Sequence, residues 1–522
     1  MLTVRDGFYD EMVEAGGTPR PHARTLVEAL DALGAEALVA AGRRRDAIFM
    51  QQGITFDAAG PDAEGPIRDR PFPLDLVPRI IPAAEWTTIK RGLAQRIRAL
   101  NHFIDDVYHG REIVHEGLVP WDLIVSRSGF ARAAHGIRPP GGVYCHVSGC
   151  DLVRDGDGSW KVLEDNVRTP SGISYVLENR VAMTRLLPGL FSHYRVRPVD
   201  HYPALLRTAL SQVAPTGGEE EATVVVWTPG PFNSAYFEHA FLARQMGVEL
   251  VEASDLVVRD AVCHMRTTRG LQRVHAIYRR IDDDYMDPLE FRPDSMLGVP
   301  GLMRAYRAGS VAIVNAVGTG VADDKAIYHY VPEMIRYYLG EDPILANVPT
   351  YLMSDGDQRN WVLERLGEMV VKPTSESGGK GVFIGPTASD EEIARQAEKV
   401  VRQPERWIAQ ELVRLSTVPT ALPDGTLAPR HVDLRPFAVF GDDIRIVPGG
   451  LTRVALREGS MIVNSSQGGG SKDTWVLEEG PDGDVAEQPH ARWAPPRMPG
   501  LSQGEWSGQQ QQQQQARACW PG

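Results

Sequence analysis

Cysteine is scarce in this chain, and the shortage excludes two classes of protein. The 522 residues contain four cysteines, Cys145, Cys150, Cys263 and Cys519, and no CxxC pair. A disulfide-stapled secreted fold and a structural zinc site both need more closely spaced cysteines than these. We therefore expect free, buried thiols.

Long apolar runs and an excess of basic residues are also missing. No hydrophobic stretch approaches the roughly 20 residues of a membrane-spanning helix, and the polar start MLTVRDGFYDEM does not resemble a secretory signal. Lys and Arg number 55 against 68 Asp and Glu, a net charge of −13, which disfavours nucleic acid because phosphate backbones select basic surfaces. We expect a cytoplasmic protein that binds neither membrane nor nucleic acid.

The sequence has enough apolar material for several folding units. Hydrophobic residues make up 43% and charged residues 24%, the balance of a folded globular protein. At roughly 150 residues a domain, the length predicts three to four units. Changes in pattern suggest an N-terminal segment 1–75, a part 76–185 with an amphipathic helix and a β-hairpin, a βαβ unit 186–320, an alternating α/β part 321–478, and a Gly-, Pro- and Gln-rich tail 479–522 that we expect to be disordered.

A β-hairpin is predicted around the turn sequence DGDG near residue 156. Glu164 and Asn166 stand two apart on its second strand, so their side chains project from one face, and Arg168 extends the row if the strand continues. If the loop has an even number of residues, Asp151 lies opposite Val162 and shares that face, whereas a three-residue loop would send it to the other face. Two carboxylates and an amide oxygen would then suit Mg²⁺. A solvated acidic hairpin is the alternative.

The strongest stretch for phosphate chemistry is VVKPTSESGGKGVFIG, residues 370–385. Lys372 ends an apolar strand, a glycine-rich loop follows, and a second apolar strand completes a flap. Glycines let backbone N–H groups approach phosphate oxygens while Lys372 and Lys380 neutralise them. A P-loop is excluded because that motif opens a helix, whereas Val382–Ile384 is typical of a strand. A purely structural glycine hairpin is the alternative.

Three further stretches carry polar side chains on predicted strands. Gln410 and Glu411 interrupt the apolar strand WIAQELV, where they could meet a purine edge and ribose. In RHVDLRPF the alternation of residues puts three polar side chains on one strand face, and a solvated edge is the alternative: His431, Asp433 and Arg435. The last stretch offers candidates for stabilising negative charge: Arg453, Asn464 and Gly468–Gly470.

Together these motifs resemble an ATP-grasp ligase written in permuted order. The metal strand in GCDLVRDGDGSWKVLEDNVRTPSGISY precedes the flap here, whereas it usually follows it in that superfamily. This order, with GPFNSAYFEHAFLARQMGVELVE, YRRIDDDYMDPLEFRPDS, GTGVADDKAIYHYVPEMI, HVDLRPF and NSSQGGGSKDTWVL, is similar to the circularly permuted ATP-grasp type 2 family, relatives of glutathionylspermidine synthetase. The resemblance covers residues 8–478. It implies an α/β (α+β) circularly permuted ATP-grasp fold with a pre-ATP-grasp-like α/β substrate domain.

The resemblance also implies roles for single residues. Mg²⁺ ligands would be Asp151, Glu164 and Asn166. Arg168, Arg435 and Arg453 would face the transferred phosphoryl group, with Asn464 at the reaction centre. ATP would be bound by Lys325, Lys372, Ser377, Gly378, Gly379, Lys380, Gly381, Gln410, Glu411, His431 and Asp433. One departure concerns Gly149, because the synthetase relatives carry an arginine two residues before the first metal aspartate.

The implied activity is formation of an amide or peptide bond from a carboxylate and an amine, through an acyl phosphate, with ATP and Mg²⁺. Substrates would be small molecules or short peptides, recognised by the 186–320 unit, although its strand end IYRRIDDDY could equally be a paired surface. That unit offers Asn233, Arg279, Arg280 and Asp282–Asp284. Two alternatives remain: a catalytically silent ATP-binding component of an assembly, since family relatives are associated with alpha-E and transglutaminase-like proteins, and a carboxylate kinase releasing acyl phosphate.

Overall fold

The computed structural model describes residues 7–56, 70–217, 221–375, 381–461, 463 and 469–479 of a mixed α/β protein. The predicted disordered tail, 479–522, lies outside the described residues except for its first position. None of the helices within these ranges combines the length and apolarity needed to cross a bilayer.

Helices and strands alternate along the described chain. The helices are α1 Arg24–Gln52, α2 Ala83–Tyr108, α3 Glu112–His115, α4 Trp121–Val125, α5 Ile173–Leu186, α6 Pro188–Phe191, α7 Tyr202–Gln212, α8 Tyr236–Met246, α9 Leu302–Arg307, α10 Lys325–Tyr328, α11 Val331–Leu339, α12 Gly356–Leu363 and α13 Asp390–Arg402. The strands are β1 Thr55–Phe56, β2 Arg70–Pro71, β3 Leu74–Ile81, β4 Val147–Arg154, β5 Trp160–Asn166, β6 Val224–Trp227, β7 Glu249–Val251, β8 Leu256–Arg259, β9 Val262–Thr267, β10 Gly270–Arg273, β11 Ala276–Arg279, β12 Ala312–Val314, β13 Ala346–Asn347, β14 Thr350–Leu352, β15 Met369–Pro373, β16 Phe383–Ile384, β17 Trp407–Glu411, β18 Thr417–Ala421, β19 Leu427–Arg435, β20 Ala438–Phe440, β21 Ile444–Ile446, β22 Leu451–Val454 and β23 Gly470–Val476.

A ten-stranded mixed sheet unites the early and late parts of the chain. Its main path runs β13-β5-β4-β19-β22-β23-β3, with β18 paired to β19 and β20 paired to β4 and β21. The predicted hairpin β4–β5 therefore lies beside β19, which carries the predicted Asp-x-Arg motif. The apolar pattern of the sequence predicts one strand over Val432–Phe440. The chain instead breaks at Pro436, which has no N–H to donate, and resumes as β20.

A one-residue bulge sets the register of the hairpin. Leu152 pairs with Val162, whereas Asp151 pairs with Glu164, so Leu163 is an extra residue on β5. The turn closes a three-residue loop, and the prediction of an even loop with Asp151 opposite Val162 is wrong. The bulge offsets the odd loop and places Asp151 directly opposite Glu164. Their side chains therefore share one face, as the predicted site requires.

The predicted parallel sheet is present in the 186–320 unit. Its order is β12-β11-β6-β7, and all three pairings are parallel. Open parallel sheets place ligands beyond the carboxyl ends of their strands. Here the loop after β6 leads to Ser234 and the chain after β12 leads to Gly320 and Asp323, which line the main cavity described below.

The smaller sheet β14-β17-β15-β16 is antiparallel and carries, in β15 and β16, the two predicted strands on either side of the glycine-rich loop. Residues 376–380 of that loop lie outside the described residues. The apolar face of this sheet packs under α12 and α13 around Val371, Val400 and Ala409. Ser389 caps α13 in a capping box with Glu392, which fixes the start of this helix at Asp390.

Helix α2 supports both large sheets from behind. Its first half packs against the apolar back face of the ten-stranded sheet, including Leu152, Val162 and Leu434. Its second half joins the core of the parallel sheet, with Phe103 and Val107. Polar side chains at the intervening strand positions consequently point away from α2, into the space between the sheets.

Residues before α1 are part of the same core. The backbones of Tyr9 and Glu11 pair with Thr417, which begins β18, and Asp10 accepts a hydrogen bond of 2.8 Å from the Thr417 hydroxyl. Asp10 and Glu11 are both buried. Part of the 1–75 segment thus packs against strands from the last third of the chain, while the domain boundaries drawn from sequence stay predictions.

Candidate active site

A cavity of about 540 Å³ lies where the ten-stranded sheet, the smaller sheet and the carboxyl edge of the parallel sheet meet. That volume is typical of a small-molecule site. The cavity brings together most of the described residues that the sequence singled out: Asp151, Glu164, Asn166, Arg168, Lys325, Lys372, Gln410, Glu411, Asp433, Arg435 and Arg453.

Two arginines converge on Asp151 at the floor of the cavity. Arg435 binds the Asp151 carboxylate through Nε and Nη2, the latter at 2.8 Å, and Arg453 Nη2 reaches it at 2.6 Å. Arg453 Nε also binds Asp433, its direct cross-strand partner, at 2.9 and 3.0 Å. Burial alone would raise the pKa of Asp151, but the two guanidinium groups outweigh it and hold that pKa well below the usual value.

Glu164 is the least committed carboxylate of the predicted metal trio. Its oxygens lie 3.8 Å from Lys325 Nζ and 3.7 Å from Arg435 Nη2, beyond hydrogen-bond distance, and 27% of its side chain is exposed. Asn166 Nδ2 lies 3.5 Å from Glu164, on the same face of β5. The orientation of β5 is fixed because Asp165, on its opposite face, forms a buried two-pronged ion pair with Arg96 of α2 at 2.7 Å.

Lys372 points from β15 toward these carboxylates. Its Nζ donates to Gln410 Oε1 at 2.6 Å, and the Gln410 amide in turn donates to Thr350 Oγ1 at 3.0 Å. Gln410 is buried and orients the lysine. It also lines the cavity, and its predicted contact with a purine edge stays a prediction. Burial, opposed by the Glu164 carboxylate and assisted by the Lys325 ammonium, lowers the pKa of Lys372 to about 8.

This depressed pKa predicts a pH-dependent affinity for nucleotides. The Lys372 ammonium is present below pH 8 and is lost as the pH rises through that value, so the Kd for ATP should rise by up to roughly tenfold per pH unit above it. In Lys372→Arg, whose guanidinium stays charged, the profile should be flat between pH 7 and 9.5. Calorimetric titration across that range provides the measurement; a flat wild-type profile would disprove the role given to Lys372.

Arg168 lies at the side of the cavity nearest the parallel sheet. Its Nε is 3.3 Å from Asp323 and its Nη1 is 3.5 Å from Asp282, with a third of the side chain exposed. Asp323 also accepts from the backbone N–H groups of Val167 and Arg168, at 2.6 and 3.1 Å. Burial raises the pKa of Asp323 to about 6.

Several predicted residues lie elsewhere or outside the described chain. His431 is buried away from the cavity, with Nδ1 2.8 Å from the Leu415 carbonyl. Glu411 is exposed at the rim and accepts from the Tyr351 hydroxyl at 2.8 Å. Gly381, the last residue of the predicted flap segment 377–381, has a φ of 73°. The remaining positions lie outside the described residues: Ser377, Gly378, Gly379, Lys380, Asn464 and Gly468.

Three of the residues proposed for substrate recognition in the 186–320 unit have structural partners within the protein. Arg279 is fully buried and donates to the carbonyls of Asn315, Ile281 and Ala316, so it supports the backbone rather than the cavity. Arg280 is also buried and pairs with Glu238, which does line the cavity. Asn233 caps the turn before α8 by accepting from the Ala235 N–H at 2.9 Å.

Three residues that support the site were missed by the sequence analysis. Asp323 stands in the same ADDK string as Lys325, so its carboxylate could have been noted there. Asn315 donates to the carbonyls of Val147 and Val167, at 2.6 and 2.7 Å, joining the parallel sheet to the hairpin. Arg127 donates to Thr374 and to the Glu405 carbonyl, at 3.1 and 2.9 Å, fastening the smaller sheet. Neither of the last two belongs to a recognisable motif.

The residues present fit ATP and Mg²⁺. Five cationic side chains line the cavity, which suits a triphosphate: Arg168, Lys325, Lys372, Arg435 and Arg453. Glu164 and Asn166 offer the oxygen ligands that Mg²⁺ prefers. Within the described ranges, no three His, Cys, Asp or Glu side chains are grouped so that they could hold a metal ion by themselves. A Mg²⁺ site here would therefore need the Asn166 amide oxygen as a ligand. Asp151 would join it only by giving up its ion pairs with Arg435 and Arg453.

Comparisons with known proteins agree with this architecture. The family described as circularly permuted ATP-grasp type 2 matches residues 78–455. An uncharacterized protein of Synechocystis sp. is 55% identical over 472 residues, 90% of this chain and 97% of that protein. One from Mycobacterium tuberculosis is 53% identical over 470 residues, 90% of this chain and 84% of that protein.

Two further similarities concern ligase-like proteins. A Frankia alni protein with the provisional name glutamate–cysteine ligase 2-3 is 46% identical over 470 residues, 90% of this chain but 54% of that longer protein. The solved structure of a glutathione synthetase-like effector from Globodera pallida shares the fold, with a TM-score of 0.56 and 13% identity over 85% of this chain and 98% of that one. The family match and these identities establish that the chain belongs to the circularly permuted ATP-grasp type 2 family.

Proposed function

We propose that this protein is an ATP-dependent carboxylate–amine ligase that forms an amide or peptide bond through an acyl phosphate. The observation that carries the proposal is the convergence of Glu164 and Asn166, from the first third of the chain, with Lys325 and Lys372, from its second half, in one cavity. Membership of an ATP-grasp family supports the use of ATP. The Frankia protein is about twice as long as the matched part, so only its reaction class enters the proposal.

The cationic side chains would do most of the chemistry. Lys325 and Lys372 hold the triphosphate, and Arg435 and Arg453 face the transferred phosphoryl group, whose loose transition state needs positioning and charge balance rather than a protein nucleophile. Mg²⁺, held by Glu164 and Asn166, would neutralise the charge on the phosphate oxygens. A substrate carboxylate oxygen takes the γ-phosphoryl group and ADP leaves.

The second half-reaction needs an amine at the same cavity. Its nitrogen attacks the activated carbonyl, the C–N bond forms, and the phosphate leaves with the C–O bond electrons. A cavity of about 540 Å³ favours small or short-peptide substrates. Arg168, a third exposed beside the parallel sheet, is placed to hold the acyl phosphate between the two steps.

The test is ADP release measured for pairs of amino acids, polyamines and short peptides, with product detection by mass spectrometry. We expect one carboxylate to trigger ADP release and one amine to turn that release into steady turnover with a new amide. Carboxylate-dependent ADP release that no amine converts into amide would replace the ligase by a carboxylate kinase. ATP binding without ADP release for any pair would favour the silent ATP-binding component. Absence of ATP binding by calorimetry would refute the proposal outright.

A further inference from the structure

A fully buried ion pair lies behind the candidate active site. Arg79, on β3, and Glu11, from the segment before α1, are 0% and 1% exposed. Arg79 Nε and Nη2 bind the two carboxylate oxygens of Glu11 at 2.7 and 2.6 Å, a two-pronged arrangement. Neither side chain reaches the cavity, so the pair cannot touch a substrate there.

The third nitrogen of Arg79 reaches the strand that carries the site. Nη1 donates to the backbone carbonyl of Asp433 at 2.8 Å. The carboxylate of that same residue binds Arg453, which in turn binds Asp151. The backbone position of Asp433 therefore governs where the guanidinium of Arg453 lies in the cavity.

Glu11 holds the neighbouring residue of β19 from the other side. It accepts a hydrogen bond of 2.6 Å from the Ser416 hydroxyl, and the Ser416 carbonyl accepts from the Val432 N–H at 3.1 Å. The ion pair thus holds two adjacent residues of β19: Glu11 holds Val432 through Ser416, and Arg79 holds Asp433 directly.

The pair stays ionised at neutral pH. Burial alone would raise the pKa of Glu11, but the Arg79 guanidinium, with smaller contributions from Arg154 and Ser416, outweighs it and lowers that pKa. Buried ion pairs often add little net stability compared with an apolar pair of similar size. An apolar pair would, however, lose the hydrogen bond to the Asp433 carbonyl.

We propose that Glu11 and Arg79 are positioning residues for phosphoryl transfer: they fix the backbone of Asp433 so that Arg453 meets the transferred group. The inference rests on the proposed function. Glu11 lies outside residues 78–455, the part of the chain that the family match covers. Small displacements of a positioned cation cost far more in the transition state than in substrate binding.

The test replaces both members of the pair, so that no charge is left buried and alone. In Glu11→Met with Arg79→Met we expect kcat for ADP release to fall at least roughly tenfold, with KM for ATP unchanged within about twofold, because Lys325 and Lys372 are untouched. Amides of residues 427–435 should exchange with deuterium faster than in the wild type. Arg79→Lys, which keeps a cation beside Glu11 but not the three-way fork, should show an intermediate loss even if the double variant does not fold.

A matched control is the buried ion pair between Asp75 of β3 and Lys472 of β23. Lys472 binds Asp75 and donates to the carbonyls of Val77 and Pro419, at 3.1 and 2.9 Å, with no bond to β19. Asp75→Asn with Lys472→Met should keep the wild-type kcat. Equal kcat in the Glu11/Arg79 variants and the wild type, or equal losses in test and control pairs, would overturn the inference. Failure of the proposed function would be distinguishable, because the wild type itself would then show no Mg²⁺-dependent ATP turnover. In that case, unchanged deuterium exchange of the amides of residues 427–435 in the Glu11/Arg79 variants would still refute the positioning role.

Discussion

Glu164→Gln is expected to abolish Mg²⁺-dependent ATP turnover while the protein remains folded. The substitution removes the carboxylate that is least engaged by neighbouring cations and so most available to the metal. Even groups that only orient metal ligands cost about 10–100-fold when removed, so loss of a ligand should lower kcat by more than roughly 100-fold. The measurement is ADP release at saturating Mg²⁺.

Stability should hardly change in this variant. The ion contacts of Glu164 exceed 3.6 Å and its side chain is partly exposed, so the free energy of unfolding should fall by less than about 1 kcal/mol. Asp157→Asn, in the turn of the same hairpin, is the matched control and should keep full turnover, because Asp157 accepts hydrogen bonds from Ser159 and does not line the cavity. Unchanged turnover in Glu164→Gln would remove Glu164 from the metal site.

Arg453→Leu should cause the largest loss of stability. Arg453 bridges two buried carboxylates, Asp433 and Asp151, and its removal leaves Asp433 without its ion-pair partner. Breaking a buried pair by deleting one member costs about 3–5 kcal/mol, since the remaining charge stays away from water. Urea unfolding monitored by tryptophan fluorescence measures this loss, and a change below about 1 kcal/mol would contradict it.

A double variant shows whether the lost stability comes from the unpaired charge of Asp433 or from altered packing. In Arg453→Leu combined with Asp433→Leu, both members of the cross-strand pair become apolar, and we expect at least half of the lost stability to return. ATP turnover should stay abolished in both variants, because no other side chain in the described cavity bridges Asp151 and Asp433. A double variant as unstable as the single one would mean that packing, not charge, sets the cost.

Periodicity in the sequence was enough to predict the strand face that carries the site. Glu164 and Asn166 share a face because they stand two apart on β5, and Asp433 and Arg435 share one on β19 for the same reason. The parallel sheet of the 186–320 unit was likewise predicted, from its βαβ pattern of apolar strands and a helical run. These features depend only on neighbours in sequence, which is why they could be derived without a structure.

Features that depend on long-range packing could not be derived. The bulge at Leu163 reverses the effect of an odd turn, and no local pattern marks it. The side-chain bonds of Gln410 to Lys372 and Thr350 likewise join strands that are far apart in sequence, and no local pattern indicates them. In the sequence, Glu11 is one acidic residue in a polar N-terminal stretch. Its contact with Arg79 forms only when the sheet is folded.

A crystal structure with Mg²⁺ and a non-hydrolysable ATP analogue would test most directly whether the two ends of the chain build one site. We predict a metal ion within about 2.0–2.2 Å of oxygens from Glu164 and Asn166, bridging phosphates that contact Lys325 and Lys372. A nucleotide bound elsewhere, or phosphates that approach the lysines while Glu164 and Asn166 remain without a metal, would contradict the proposed ligase site.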